Sequence, residues 1–156
     1  MAEQQVWIPM EDGVRLAASL FLPEGAAEGR AAPVVLEALP YRKDDASASY
    51  RPEYERLCGE YGYAVARVDL RGTGSSEGVA ADEYPASEQA DLCRVIGWLA
   101  SQSWSTGSVG MYGTSYSGLR AVRWNHRKRA RMCVPVSGAA GGRSAKSLSH
   151  PAGRIR

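Results

Sequence analysis

The chain has 156 residues, 44% hydrophobic and 23% charged, which are the proportions of one ordinary globular domain and exclude disordered, collagen-like and disulfide-scaffold classes. No apolar run approaches the ~20 residues that a membrane helix needs. The polar start Met1-Ala2-Glu3-Gln4-Gln5 lacks the basic-then-apolar order of a signal peptide, so the cytoplasm is the expected address. A net charge of +2 conceals an imbalance: residues 1–118 hold 17 acidic against 9 basic side chains, whereas residues 119–156 hold 10 basic and no acidic ones.

In chain order, Gln5–Met10 and Val14–Leu22 are short apolar runs separated by Glu11-Asp12-Gly13, a hairpin signal because an Asp-Gly turn needs positive φ. After a Gly/Ala-rich loop, Pro33–Leu39 predicts a strand that ends at Pro40. Residues 52–61, with Pro52 near the start and Gly62 just past the end, carry the punctuation of a helix. Tyr63–Leu70 predicts a second buried strand, followed by a Gly/Ser loop from Arg71 to Gly78. Leu92, Ile96 and Leu99 recur at i, i+4 and i+7 and predict a helix over residues 87–101. Residues 108–112 predict a third strand, residues 116–128 a helix, and Met132–Val136 a fourth strand. A hairpin followed by alternating strands and helices predicts an α/β fold, with a mostly parallel sheet covered by helices on both faces. In such sheets the chemistry sits in loops at the carboxyl ends of the strands. Residues 40–50, 71–85 and 113–118 are those loops.

Within them, Gly113-Thr114-Ser115-Tyr116-Ser117-Gly118 lies directly between a predicted strand and a predicted helix. That is the position of a nucleophile elbow, a strained turn that projects a serine over the sheet edge and needs small residues two positions either side. Ser115 is flanked there by Gly113 and Ser117, so the usual G-x-S-x-G is relaxed by one residue. The backbone N–H of Tyr116, at the start of the helix, would face a developing oxyanion. The run Asp69-Leu70-Arg71-Gly72-Thr73-Gly74-Ser75-Ser76-Glu77-Gly78 fails as a dinucleotide fingerprint, because Glu77 stands where the third glycine belongs and no helix opens there. On its own it is a specific-looking loop without assigned chemistry. Tyr41 follows a strand end and could donate its phenolic proton, but Arg42-Lys43-Asp44-Asp45 beside it has the look of a solvated charge run. Cys58, Cys93 and Cys133 form an odd, widely spaced set without zinc spacing, as expected for buried thiols.

Five segments together resemble the cocaine-esterase and X-prolyl dipeptidyl-peptidase type of serine α/β-hydrolases: Asp12–Ala17, Pro40-Tyr41, Arg71–Gly78, Trp104–Gly110 and Gly113–Gly118. The resemblance covers about residues 6–118. It implies that Ser115 is the acyl-accepting nucleophile and that the Tyr41 hydroxyl and the Tyr116 backbone N–H form the oxyanion hole. It implies a small-molecule ester or amide substrate, and neither a metal nor an organic cofactor.

A serine nucleophile needs a base, and the base an orienting carboxylate; in this fold the acid and then the histidine follow the serine. No Asp or Glu follows Ser115, and of the two histidines that do, His126 lies along the same predicted helix, more than ~10 Å away at ~1.5 Å per residue. His150 sits in a Ser/Gly/Ala-rich stretch. The expectation is therefore a truncated α/β-hydrolase, with residues 1–137 as the N-terminal half of the domain and residues 138–156 as a disordered basic tail. Such a chain lacks efficient turnover and is prone to self-association through an exposed sheet edge. The basic segment invites a polyanion-binding reading. A reading-frame shift in a GC-rich gene explains the same Arg, Ala, Gly and Ser content, and on that account nucleic acid is not the expected partner.

Overall fold

The computed structural model describes residues 1–44, 51–80 and 86–113. Over that span the chain forms five strands and two helices: β1 (Ala2–Pro9), β2 (Arg15–Leu22), β3 (Ala32–Leu39), α1 (Arg51–Gly59), β4 (Ala64–Asp69), α2 (Ala86–Ala100) and β5 (Ser105–Met111). The strands make one sheet in the order β1-β2-β4-β3-β5. β1 and β2 form the expected antiparallel hairpin, closed by hydrogen bonds between Met10 and Val14 and from Gly13 N to the Met10 carbonyl. β2 then pairs antiparallel with β4, whereas β4, β3 and β5 run parallel. This is the predicted α/β arrangement. The predicted helix over 116–128 and strand Met132–Val136 lie outside the described residues, as does the boundary at residue 137.

Alternation along the strands divides the core between the two faces of the sheet. Leu16, Ala18, Leu20 and Leu22 of β2, with Val34, Leu36 and Ala38 of β3 and Ala64, Ala66 and Val68 of β4, join one cluster with Leu92, Val95 and Leu99 of α2. On the opposite face Phe21 and Val65 pack with Tyr54 and Cys58 of α1. One helix thus covers each face. The buried line of α2 is Leu92–Val95–Leu99; Ile96, expected in that line, packs at its margin.

The smaller face carries charge as well. Glu37 and Arg67 are register partners on β3 and β4, and the Tyr54 hydroxyl donates to Glu37 and receives Arg67 Nη1 at 3.3 Å. Burial pushes the Glu37 carboxyl above its ordinary range, against the opposing pull of Tyr54 and Arg67.

β5 begins three residues before the predicted start, because its first half is irregular. The register shifts between Ala32 and Val34, and Gly107 sits opposite this break at φ +81°, where a side chain would be strained. The Trp104 carbonyl accepts the Ala32 N–H at 2.9 Å and ties the starts of β3 and β5 together.

Candidate active site

The order β4-β3-β5 brings three carboxyl-end loops side by side. β3 runs into Pro40-Tyr41, β4 into Leu70–Gly78, and β5 into Tyr112-Gly113. β3 and β5 are paired up to Leu36 and Met111, and the Leu36 carbonyl then accepts the Tyr112 N–H at 2.8 Å. The chain leading to Ser115 therefore leaves the sheet beside the strand that carries Tyr41. Ser115 and Tyr116 themselves lie outside the described residues, as do His126 and His150. Tyr41 is 56% exposed at the rim.

The charge run after Tyr41 is not solvated at its centre. Lys43 is 3% exposed; its ammonium group donates to Asp44 and, at 2.7 Å, to Oε1 of Gln5 on β1. Its backbone N–H donates to Oδ1 of Asp69. Three partners explain the burial of a lysine that an isolated look at Arg42-Lys43-Asp44-Asp45 places in water.

Asp69 is the last residue of β4 and is fully buried. Its second oxygen, Oδ2, accepts the Ser75 N–H at 2.8 Å, and its carbonyl accepts the Ser76 hydroxyl at 2.7 Å. Burial pushes the carboxyl upward while the two backbone N–H groups pull it down, and burial prevails. Gly74 makes the close approach possible: a Cβ there would lie 2.1 Å from Asp69 Oδ2, and the residue stands at φ +54°.

The rest of the Arg71–Gly78 run binds the neighbouring elements. Arg71 makes a two-pronged contact with Asp91 of α2 at 2.7 Å on each prong and reaches Asp12 in the hairpin turn at 2.6 Å. These carboxylates raise the guanidinium pKa, Asp91 foremost. Glu77 accepts both the backbone N–H and the guanidinium of Arg15 and is held below the usual carboxylate range by it. The Ser76 hydroxyl accepts the Ala17 N–H at 2.9 Å. The motif that matched no cofactor chemistry is thus a clasp joining β2, the hairpin turn and α2 below the carboxyl edge. Sequence pattern placed Asp12 in the hairpin turn and Glu77 in the Gly/Ser loop but gave neither these nor Asp91 an ion-pairing role; the specificity of the Asp-x-Arg-Gly-x-Gly run was the only signal for Asp69.

Among the described residues no group of three or more His, Cys, Asp or Glu is placed to hold a metal. Cys58 is buried, and burial pushes its thiol up to about 11, whereas Cys93 is only half-buried. No described helix is long and apolar enough to cross a membrane.

A mixed five-stranded sheet, in which an antiparallel hairpin leads into three parallel strands, covered by one helix on each face, is the N-terminal part of an α/β-hydrolase. Solved structures with this fold include an α-amino acid ester hydrolase, 32% identical with a TM-score of 0.62 over 75% of this chain and 22% of that one. A CocE/NonD family hydrolase from Staphylococcus aureus is 27% identical with a TM-score of 0.62, over 78% of this chain and 24% of that one. The cocaine esterase of Rhodococcus sp. (strain MB1 Bresler) is 39% identical over 117 residues, which make up 73% of this chain and 19% of that protein. The family model for X-Pro dipeptidyl-peptidase (S15 family) matches residues 12–150, and the chain belongs to that family. The match runs past Gly118, where the resemblance read from motifs ended. The chain spans about a fifth of the length of the curated relatives it matches.

Proposed function

We propose that these residues carry the nucleophile half of a serine hydrolase that transfers an acyl group from a small ester or amide to water. The Ser115 Oγ bonds to the substrate carbonyl carbon, whose π electrons move onto oxygen. The Tyr41 hydroxyl and the Tyr116 backbone N–H donate to that oxyanion. Its collapse breaks the bond to the alcohol or amine, which leaves with a proton, and water then releases the acid from the serine. The serine proton passes to a base, and no Asp or Glu follows Ser115 in these residues to orient one in the chain order of this fold. The observation that supports the reading is the adjacency of parallel strands β3 and β5, which brings Tyr41 and the Tyr112-Gly113 exit of β5 to one end of the sheet.

Single-turnover acylation by p-nitrophenyl acetate tests it, at alkaline pH so that hydroxide replaces the base. Ser115→Ala abolishes the acyl adduct, and Tyr41→Phe slows its formation roughly 100- to 1,000-fold, the cost of one oxyanion donor. Equal labelling of the parent and Ser115→Ala chains overturns the assignment.

The charge of residues 119–156 favours a second reading, a non-catalytic chain whose basic segment binds polyanions. Salt-sensitive binding of DNA that disappears on deletion of 119–156, without serine reactivity, would establish it in place of the first.

A further inference from the structure

We propose that Asp69 is the positioning residue for Tyr41, its carboxylate holding the second foot of the loop that carries the phenol while strand pairing holds the first; the inference rests on the oxyanion role proposed above. At the first foot, Leu39 and Asp69 are register partners at the ends of β3 and β4, and the Leu39 carbonyl accepts the Leu70 N–H at 2.9 Å. At the second, the Lys43 N–H donates to the Asp69 carboxylate. Tyr41 stands midway between these points. With the first end fixed by backbone pairing and the second by the Asp69 carboxylate, the reach of the phenol follows from the placement of that carboxylate.

The same carboxylate holds the loop after β4 through Ser75, so the two loops cannot shift independently. Both oxygens are engaged by N–H donors. A carboxylate suits this arrangement and an amide does not, because Asn would turn its NH2 group against one of the two N–H groups. Tyr41 is exposed, so its own side chain is not packed into place, and the backbone anchor is what limits its travel. An oxyanion donor must sit within a few tenths of an ångström of its working position, and a misplacement of ~1 Å costs roughly 100-fold.

A double-mutant cycle on the full chain tests the coupling, with single-turnover acylation by p-nitrophenyl acetate at alkaline pH as the readout. Asp69→Asn is expected to slow acylation roughly 10- to 100-fold when Tyr41 is present and by less than about twofold in the Tyr41→Phe background. Equal slowing in both backgrounds, or no slowing in either, overturns the positioning role while leaving the functional reading in place. Parent and Tyr41→Phe chains that acylate at the same rate overturn the functional reading, and this inference with it. Should Asp69→Asn fail to fold by circular dichroism, a semisynthetic chain with an ester in place of the Lys43 amide decides the question. It removes one N–H donor and leaves the Ser75 contact, and the same background-dependent loss is expected.

Discussion

Gly74 owes its identity to its neighbour's carboxylate. With φ at +54° and a virtual Cβ at 2.1 Å from Asp69 Oδ2, any side chain there must push away the group that holds two loops. Gly74→Ala is expected to destabilise the fold by roughly 2–4 kcal/mol, from left-handed strain plus the displaced carboxylate. Urea unfolding measures this, and a loss below about 0.5 kcal/mol would show that the loop can move aside without cost. Two other carboxyls at this end of the sheet make stability depend on pH. Asp12 is held below the ordinary range by Arg71, and Glu77 by Arg15. A folded pKa below the unfolded one means that the folded state binds fewer protons. The stabilisation is therefore full above the unfolded value near ~4 and is lost as pH falls through the folded values. The double variant Asp12→Asn/Glu77→Gln should melt below the parent at about pH 7, and the gap should close as pH falls below the ordinary carboxylate range. The carboxylates Asp12 and Glu77 are exposed, so added salt should narrow the gap at neutral pH. A gap that is constant with pH would mean that the clasp acts through packing and neutral hydrogen bonds.

At the scale of elements, α2 offers a comparison that removed atoms alone would misjudge. Val95 is fully buried against the sheet, whereas Ile96 is only partly buried at the edge of the same cluster. Val95→Ala should cost about 2 kcal/mol and Ile96→Ala about 1 kcal/mol, although the second deletes more of the side chain. Denaturant midpoints at unchanged slope would show this, and the reverse order would place the sheet-facing line of α2 through Ile96. Apolar spacing on this helix could not separate the two, because adjacent apolar residues at i+3 and i+4 from Leu92 both fall within a core-facing stripe. The strands were more legible. A period of two admits one inward set, and β2, β3 and β4 appear within one residue of their expected bounds, while β1 starts three residues before the expected Gln5. The irregular start of β5 was not legible, since Gly107 announces a bulge only once its partner strand is known. Nor was the burial of Lys43, whose partners Asp69 and Gln5 lie 26 and 38 positions away. Local sequence shows a run of charges; only the order β1-β2-β4-β3 shows what surrounds it. Of the proposed site, the strand-end position of Tyr41 was legible from Pro40, but its anchorage through Asp69 was not.

For the molecule as a whole, the sheet order leaves β1 and β5 at the two ends, and among the described residues each is paired on one side. An unpaired strand edge is a template for a second chain. The charge distribution supplies another route, since an acid-rich stretch over residues 1–118 and an acid-free basic stretch over 119–156 attract each other between copies, and a net charge of +2 gives little overall repulsion. Both routes predict concentration-dependent association in sedimentation velocity, and salt separates them. Attraction between oppositely charged surfaces fades as the screening length falls from ~10 Å at 0.1 M salt to ~3 Å at 1 M, whereas pairing of backbone groups persists. Ser108, exposed on β5, provides the second test. A lysine there blocks edge pairing by bringing two like charges together across the new strand pair. Association that survives high salt and is abolished by Ser108→Lys assigns the contact to the β5 edge. Association that vanishes with salt in the unsubstituted chain assigns it to the charged halves. A chain that stays monomeric at high concentration and low salt would mean that neither the β5 edge nor the basic stretch is open to a second copy.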